Sequence, residues 1–156
     1  METVRRVISV VVLNEAQVLA RVSGLFAGRG YNIETLTVAP IPESDLSHMT
    51  IVTRGNQRVI EQITKQLHKL IPTLKVIEHT EMVEKEMVLV KFPIEEQLSD
   101  IQTLCAAYNG GIANVGREMV IAMVADEPVR IRHFIQACQR YNPIEIVRGG
   151  VVAMER

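Results

Sequence analysis

The chain has 156 residues, 47% of them hydrophobic and 22% charged, with a formal net charge of -1 and a pI near 6.4. That balance describes a globular chain of one ordinary domain or two small ones, not a disordered one. It excludes the basic surface that attracts nucleic acid or an anionic membrane, and no apolar run approaches the ~20 residues of a spanning helix.

The opening segment, METVRRVISVVVLNE, sets two arginines before an apolar run. The run is β-branched, ends in Asn-Glu and lacks a small-residue cleavage site. It therefore reads as a strand over residues 5–13, not a signal peptide, and the cytoplasm is the expected location. From Val18 the period changes: Val18, Val22, Leu25 and Phe26 recur at helical spacing. Gly28 and Gly30 stop that helix, since glycine accepts the left-handed conformation after a last turn. NIETLTV forms a second strand, PIPESDLS a loop, and HMTIVTR a third strand in which Met49, Ile51 and Thr53 alternate. In NQRVIEQITKQLHKL, Ile60, Ile63, Leu67 and Leu70 share one helix face; Pro72 follows, and LKVIEHT makes a fourth strand.

The charged EMVEKE then reads as a linker, after which the order recurs. MVLVKF is a strand, and the next helix carries Ile94, Leu98, Ile101, Cys105 and Tyr108 before Gly110-Gly111 ends it. IANVG and MVIAMVA are strands, Ile131, Phe134, Ile135, Cys138 and Tyr141 line a last helix, and IEIVRGGVVAM closes the sheet. The expected fold is α+β: two ferredoxin-like βαββαβ units, residues 1–80 and 81–156, each an antiparallel sheet with both helices on one face. The uncovered face and open edges of such sheets predict an oligomer.

Motifs for chemistry are missing. His48, His68, His79 and His133 show no zinc spacing and read as surface residues. No phosphate loop, dinucleotide fingerprint or nucleophile elbow occurs. The acidic pairs Glu84/Glu86, Glu95/Glu96 and Asp126/Glu127 read as a linker and two helix starts. Cys105 and Cys138 fall at core spacing and read as buried free thiols. The candidate central strands carry no aromatic on which RNA bases would stack. No catalytic residue and no metal ligand is expected.

Two asparagines punctuate the first strand–helix–strand unit. Asn14 reads as a helix N-cap, at a helix N-terminus whose free N–H groups suit a small carboxylate. Asn32 reads as a turn residue, with an amide able to accept from an ammonium and donate to a carboxylate. Two chains paired along the second strand would bring Asn32 of one copy to the Asn14 loop of the other. Such a constellation suits an α-amino acid, with Leu19 and Ile33 as apolar wall.

The segments NEAQVLARVSGLFAGRGYNIETLTVAP, LSHMTIVTRG, IEQITKQLHKLIPTLKV, VEKEMVLVK and EIVRGGVVAMER resemble the small regulatory subunits of acetolactate synthase (acetohydroxyacid synthase). The resemblance covers nearly the whole chain and is strongest over residues 14–75. It implies an N-terminal ACT domain followed by a ferredoxin-like domain, with no active site of its own. It implies a large catalytic subunit as partner, which carries thiamine diphosphate, magnesium and FAD and condenses two pyruvates to 2-acetolactate. It also implies a homodimer through the ACT domains with valine, or another branched-chain amino acid, at the interface. Carried over, Asn14, Ala16, Gln17, Val18 and Leu19 meet the ligand from one copy, and Asn32 and Ile33 from the other. The family has glycine at the position of Gln17, so the glutamine is expected to fill part of the pocket or to bend its loop away. The readings left beside this one are an activating subunit without valine response and a free-standing amino-acid sensor.

Overall fold

In the computed structural model, which describes residues 2–70, 73–94 and 97–156, the first half folds as expected. Its elements are β1 (Val4–Leu13), α1 (Val18–Gly28), β2 (Asn32–Pro40), β3 (Leu46–Gly55), α2 (Gln57–Lys69) and β4 (Thr73–Glu78). The sheet order is β2-β3-β1-β4, with antiparallel pairing throughout. Side chains alternate across a strand, so Ile8, Val10 and Val12 share a face with Met49 and Ile51 of β3. Val18, Val22 and Phe26 of α1 and Ile60, Ile63 and Leu67 of α2 complete that core. Each fully buried aliphatic of this kind contributes about 1.5–3 kcal/mol, offset by the cost of ordering the chain.

Two helix ends in this unit have a physical account, one of them the Gly30 stop expected from the sequence. Gly30 takes φ +67, and Tyr31 N–H reaches Phe26 C=O at 2.9 Å while Gly30 N–H reaches Ala27 C=O at 3.2 Å. That is a Schellman motif, and the Phe26 and Tyr31 rings meet edge-on at 6.2 Å as its hydrophobic contact. Asn56 caps α2, its side chain accepting from Val59 N–H at 2.9 Å. Pro72 and the pair Glu95/Glu96 lie outside the described residues.

The second half repeats the order: β5 (Met82–Pro93), α3 (Leu98–Ala107), β6 (Gly110–Val115), β7 (Met119–Asp126), α4 (Pro128–Cys138) and β8 (Glu145–Glu155). A 3-10 turn, Gln139–Tyr141, follows α4. The strand order β6-β7-β5-β8 matches the first sheet. Val88, Val90 and Phe92 of β5 and Val120, Ala122 and Val124 of β7 face Ile101, Cys105, Ile131, Phe134 and Cys138. Both thiols are free and buried; burial pushes Cys105 up to about 11 and Cys138, which also faces Cys105, up to about 12. They are packing residues, with almost no thiolate near neutral pH.

Several local expectations are corrected. Ile94 precedes α3 in the loop after β5, its N–H bonded to Glu118 C=O at 2.7 Å. Gly110-Gly111 does not end α3; the left-handed residue there is Asn109, at φ 60. Gly110 instead opens β6 where a Cβ would lie 2.1 Å from Met123 C=O, so only glycine fits. EMVEKE is no linker: all of it after Glu81, residues 82–86, is already strand β5, and Glu86 is buried.

The chain divides into two compact units, Met1–Val83 with Val151–Arg156, and Glu84–Gly150. The final six residues thus belong with the first unit. On the sheet face turned away from its helices, Val7, Val52 and Val151 form a buried cluster with Met82 and Ala153 packed against it. That face, expected to lie open, is covered there by the chain's own end.

Candidate functional site

Where β1 gives way to α1, the four residues Asn14, Glu15, Ala16 and Gln17 make a turn instead of starting a helix at once. Asn14 N–H donates to Asp45 C=O at 2.8 Å, and Glu15 N–H to Leu13 C=O at 2.8 Å. The helix begins at Val18, and its N-cap is Gln17, without a side-chain capping bond. Asn14 is therefore not the helix cap. Its side chain is exposed and makes no hydrogen bond among the described residues.

Beneath this turn lies a cavity of about 200 Å³. Asn14, Val18 and Leu19 line it, together with Val12 and Leu13 of β1, Val38 to Pro40 of β2, and Ser47 and Met49 of β3. The walls are aliphatic apart from Asn14, Glu15 and Ser47. The apolar residues not foreseen here, above all Val38 and Met49, enter through strand register: Val38 pairs with Met49, and Met49 with Val10. No local motif marks them.

Ala16 and Gln17 are exposed turn residues that adjoin the cavity in sequence without lining it. Gln17 has φ -105 and ψ 0, a conformation open to any residue, so the backbone has no need of glycine at this position. Asn32 and Ile33 stand elsewhere. Asn32 pairs with Arg54 at the opposite end of β2 from Ala39, which pairs with His48; seven residues of strand separate the two ends by about 23 Å. Within one chain they do not meet Asn14. Asn32 is exposed, its C=O accepting from Thr53 Oγ1, and Ile33 packs against the first core. Strand β2 is an edge of its sheet.

Polar groups are buried at two other places. His79 is 6% exposed, not a surface residue. Its Nε2 lies 2.5 Å from Ser9 Oγ and its N–H donates to Val7 C=O. His48, half-buried on β3, is lowered from its ordinary value by burial and by the nearby His79. In the second unit Glu86 and Asp126 are cross-strand partners, each 2% exposed. Arg148 Nε donates to Glu86 Oε1 at 2.7 Å, and Arg130 Nε to Asp126 Oδ2 at 2.5 Å. Burial pushes the Asp126 carboxyl up. The Arg130 hydrogen bond, the Glu127 N–H and the Arg130 and Lys85 charges outweigh it and hold the group below its ordinary value. These carboxylates are structural ion pairs, and among the described residues no cluster has the composition of a metal site.

Comparison with known proteins covers both units. Residues 8–75 match the model of the AHAS small subunit-like ACT domain, and residues 85–156 that of the small subunit of acetolactate synthase. A probable acetolactate synthase small subunit from Archaeoglobus fulgidus is 42% identical over 154 residues, 97% of either chain. The isozyme 3 small subunit of Escherichia coli is 40% identical over 156 residues, covering 97% of this chain and 96% of its own. The crystal structure of the small subunit from Thermotoga maritima superposes with a TM-score of 0.90 at 34% identity, over 98% of both chains.

Proposed function

The chain belongs to the family of acetolactate synthase small subunits, and we propose that it binds a branched-chain amino acid, valine first, and passes that signal to the enzyme. Membership implies a large catalytic subunit as its partner; the chain itself is the non-catalytic one. In this reading the thiamine diphosphate, magnesium and FAD reside on the large subunit, which the small subunit activates and renders sensitive to valine.

The observation that carries the amino-acid reading is the aliphatic cavity of about 200 Å³ under the Asn14 turn. Its walls suit a small branched side chain, because charged or long polar groups would leave water unreplaced there. The Asn14 amide, with no side-chain hydrogen bond among the described residues, supplies polar contacts at its mouth. The remaining contacts come from a second copy. Antiparallel pairing of two β2 edges about a two-fold axis lays the Asn32 end of one strand beside the Pro40 end of the other. Asn32 and Ile33 of the neighbour then complete the site. Gln17, exposed and unstrained, leaves the cavity open.

For the signal to be allosteric, the ligand must favour one arrangement of the complex, typically by about 1–3 kcal/mol. Isothermal titration of valine, leucine and isoleucine into the full chain tests the reading, with Asn14→Ala and Asn32→Ala alongside. Saturable binding of valine is expected, weakened on the order of tenfold or more by either variant, since each removes hydrogen bonds to charged groups. Equal affinity in all three proteins would remove both asparagines from the site. Titration in the presence of the large subunit, read as acetolactate formation, tests the response.

A further inference from the structure

The last six residues do more than close a sheet. Strand β8 runs unbroken from Glu145 to Glu155, yet its residues up to Gly150 belong to the second unit and Val151–Arg156 to the first. Over that final stretch the side chains alternate. Val151 is 2% exposed and Ala153 packs beside it, while Val152 is 53% and Met154 75% exposed. The inward side meets Val7 and Val52, which are direct partners on the neighbouring strands β1 and β3 and are themselves 1% and 0% exposed. Arg156 N–H donates to Glu81 C=O at 3.3 Å, which fastens the end of the segment.

The two strands so gripped are the ones that wall the candidate cavity. Five residues beyond Val7, β1 reaches Val12 and Leu13; before Val52, β3 carries Ser47 and Met49. The separation along β1 is about 16 Å, and the strands between are backed by a close-packed core that shifts as a unit more readily than it bends. We propose that Val151–Arg156 is an intramolecular strap of the first unit, which holds in place the two strands that form that unit's cavity. Release of the strap uncovers Val7 and Val52 and loosens β1 and β3 as far as the Asn14 turn. The inference concerns the chain alone and stands whether or not valine is the ligand.

Amide hydrogen exchange on the full chain decides it. Val151→Asp places an unpaired charge in the buried cluster, and Val152→Asp places the same charge one residue away in solvent. Exchange in Val151→Asp is expected to quicken by about tenfold or more at residues 6–13 and 47–53, as local opening becomes easier, with α3 and α4 still protected. Val152→Asp is expected to match the wild type. Should Val151→Asp lose the protection of α3 and α4 as well, Val151→Ala is the deciding variant, with the same pattern at smaller amplitude. Faster exchange confined to residues 151–156, or equal behaviour of the 151 and 152 variants, would overturn the strap.

Discussion

The two units share an element order and a strand order, and they differ most on the sheet face that carries no helices. In the first unit that face is closed and partly polar. Val7, Ser9, Thr50 and Val52 are at most 1% exposed, and the chain's end covers the valines. In the second unit the same face is mostly aliphatic and open, with the Lys91–Glu145 ion pair among its residues. Met87, Met123 and Val147 are 40–52% exposed, and Leu89 and Ile121 flank a shallow cavity of about 200 Å³ with Val147. One periodicity built both sheets, because the helix-covered faces obey the same rule of burying alternate aliphatics. What lies against the other face decides whether a strand reads as buried on both sides or on one.

The comparison makes its largest prediction at matched positions on those two faces. Val52 is fully buried on β3, so Val52→Asp sets an unpaired carboxylate in an apolar cluster. It is expected to cost several kcal/mol, lowering the urea midpoint sharply or leaving the first unit unfolded. Met123, on β7 of the second sheet, is 40% exposed, and Met123→Lys is expected to shift stability by no more than about 0.5 kcal/mol. Equal losses would mean that the second face is covered in solution, and the contrast between the units would fail.

That contrast also separates what could be read from residues alone. The stripes Val18/Val22/Phe26 and Ile60/Ile63/Leu67 announce their helices, since the 3.6-residue period is a local signal. The fold was legible for that reason, as were the Gly30 stop and the buried thiols. The partners of buried polar groups were not. His79 is buried through Ser9, seventy residues away, and Glu86 through Arg148, sixty-two residues away. Asn14 fails as a helix cap because a long-range bond to Asp45 C=O draws the chain into a turn first. Of the residues that line the cavity, the Asn14 segment gave Asn14, Val18 and Leu19. Val38 and Met49 depend on strand register, which no short pattern displays.

A second difference lies at the helices that follow β3 and β7, where the first unit uses a neutral group and the second a charged one. Asp126 is held as a carboxylate below its ordinary value: burial opposes this, and the Arg130 hydrogen bond, the Glu127 N–H and the Arg130 and Lys85 charges prevail. A group whose folded value lies below its unfolded one, about 3.9, adds stability that is present above that pH. The contribution fades as pH falls through the folded value. Asp126→Asn is therefore expected to lower the melting temperature at pH 7 and to converge on the wild type toward pH 3, with a smaller gap in high salt because Arg130 and Lys85 are half-exposed. A gap of constant size across that range would assign the effect to lost packing instead of charge.

The smallest effect concerns the same two helix starts. Asn56 accepts from Val59 N–H and so satisfies one of the free donors of α2. Asn56→Ala is expected to cost about 1 kcal/mol at every pH, since no charge is involved. The corresponding residue of α4, Glu127, makes no side-chain capping bond. Pro128 at the first position removes a donor that would otherwise need a partner, and Asp126 takes up the Glu127 N–H at 2.8 Å. Glu127→Ala should then cost no more than about 0.3 kcal/mol, the worth of an exposed acid near a helix N-terminus. A loss at Glu127 as large as that at Asn56 would mean that the glutamate caps α4 in solution. In that case the charged cluster around Asp126 would serve the strand ends β5 and β7 and not the helix start.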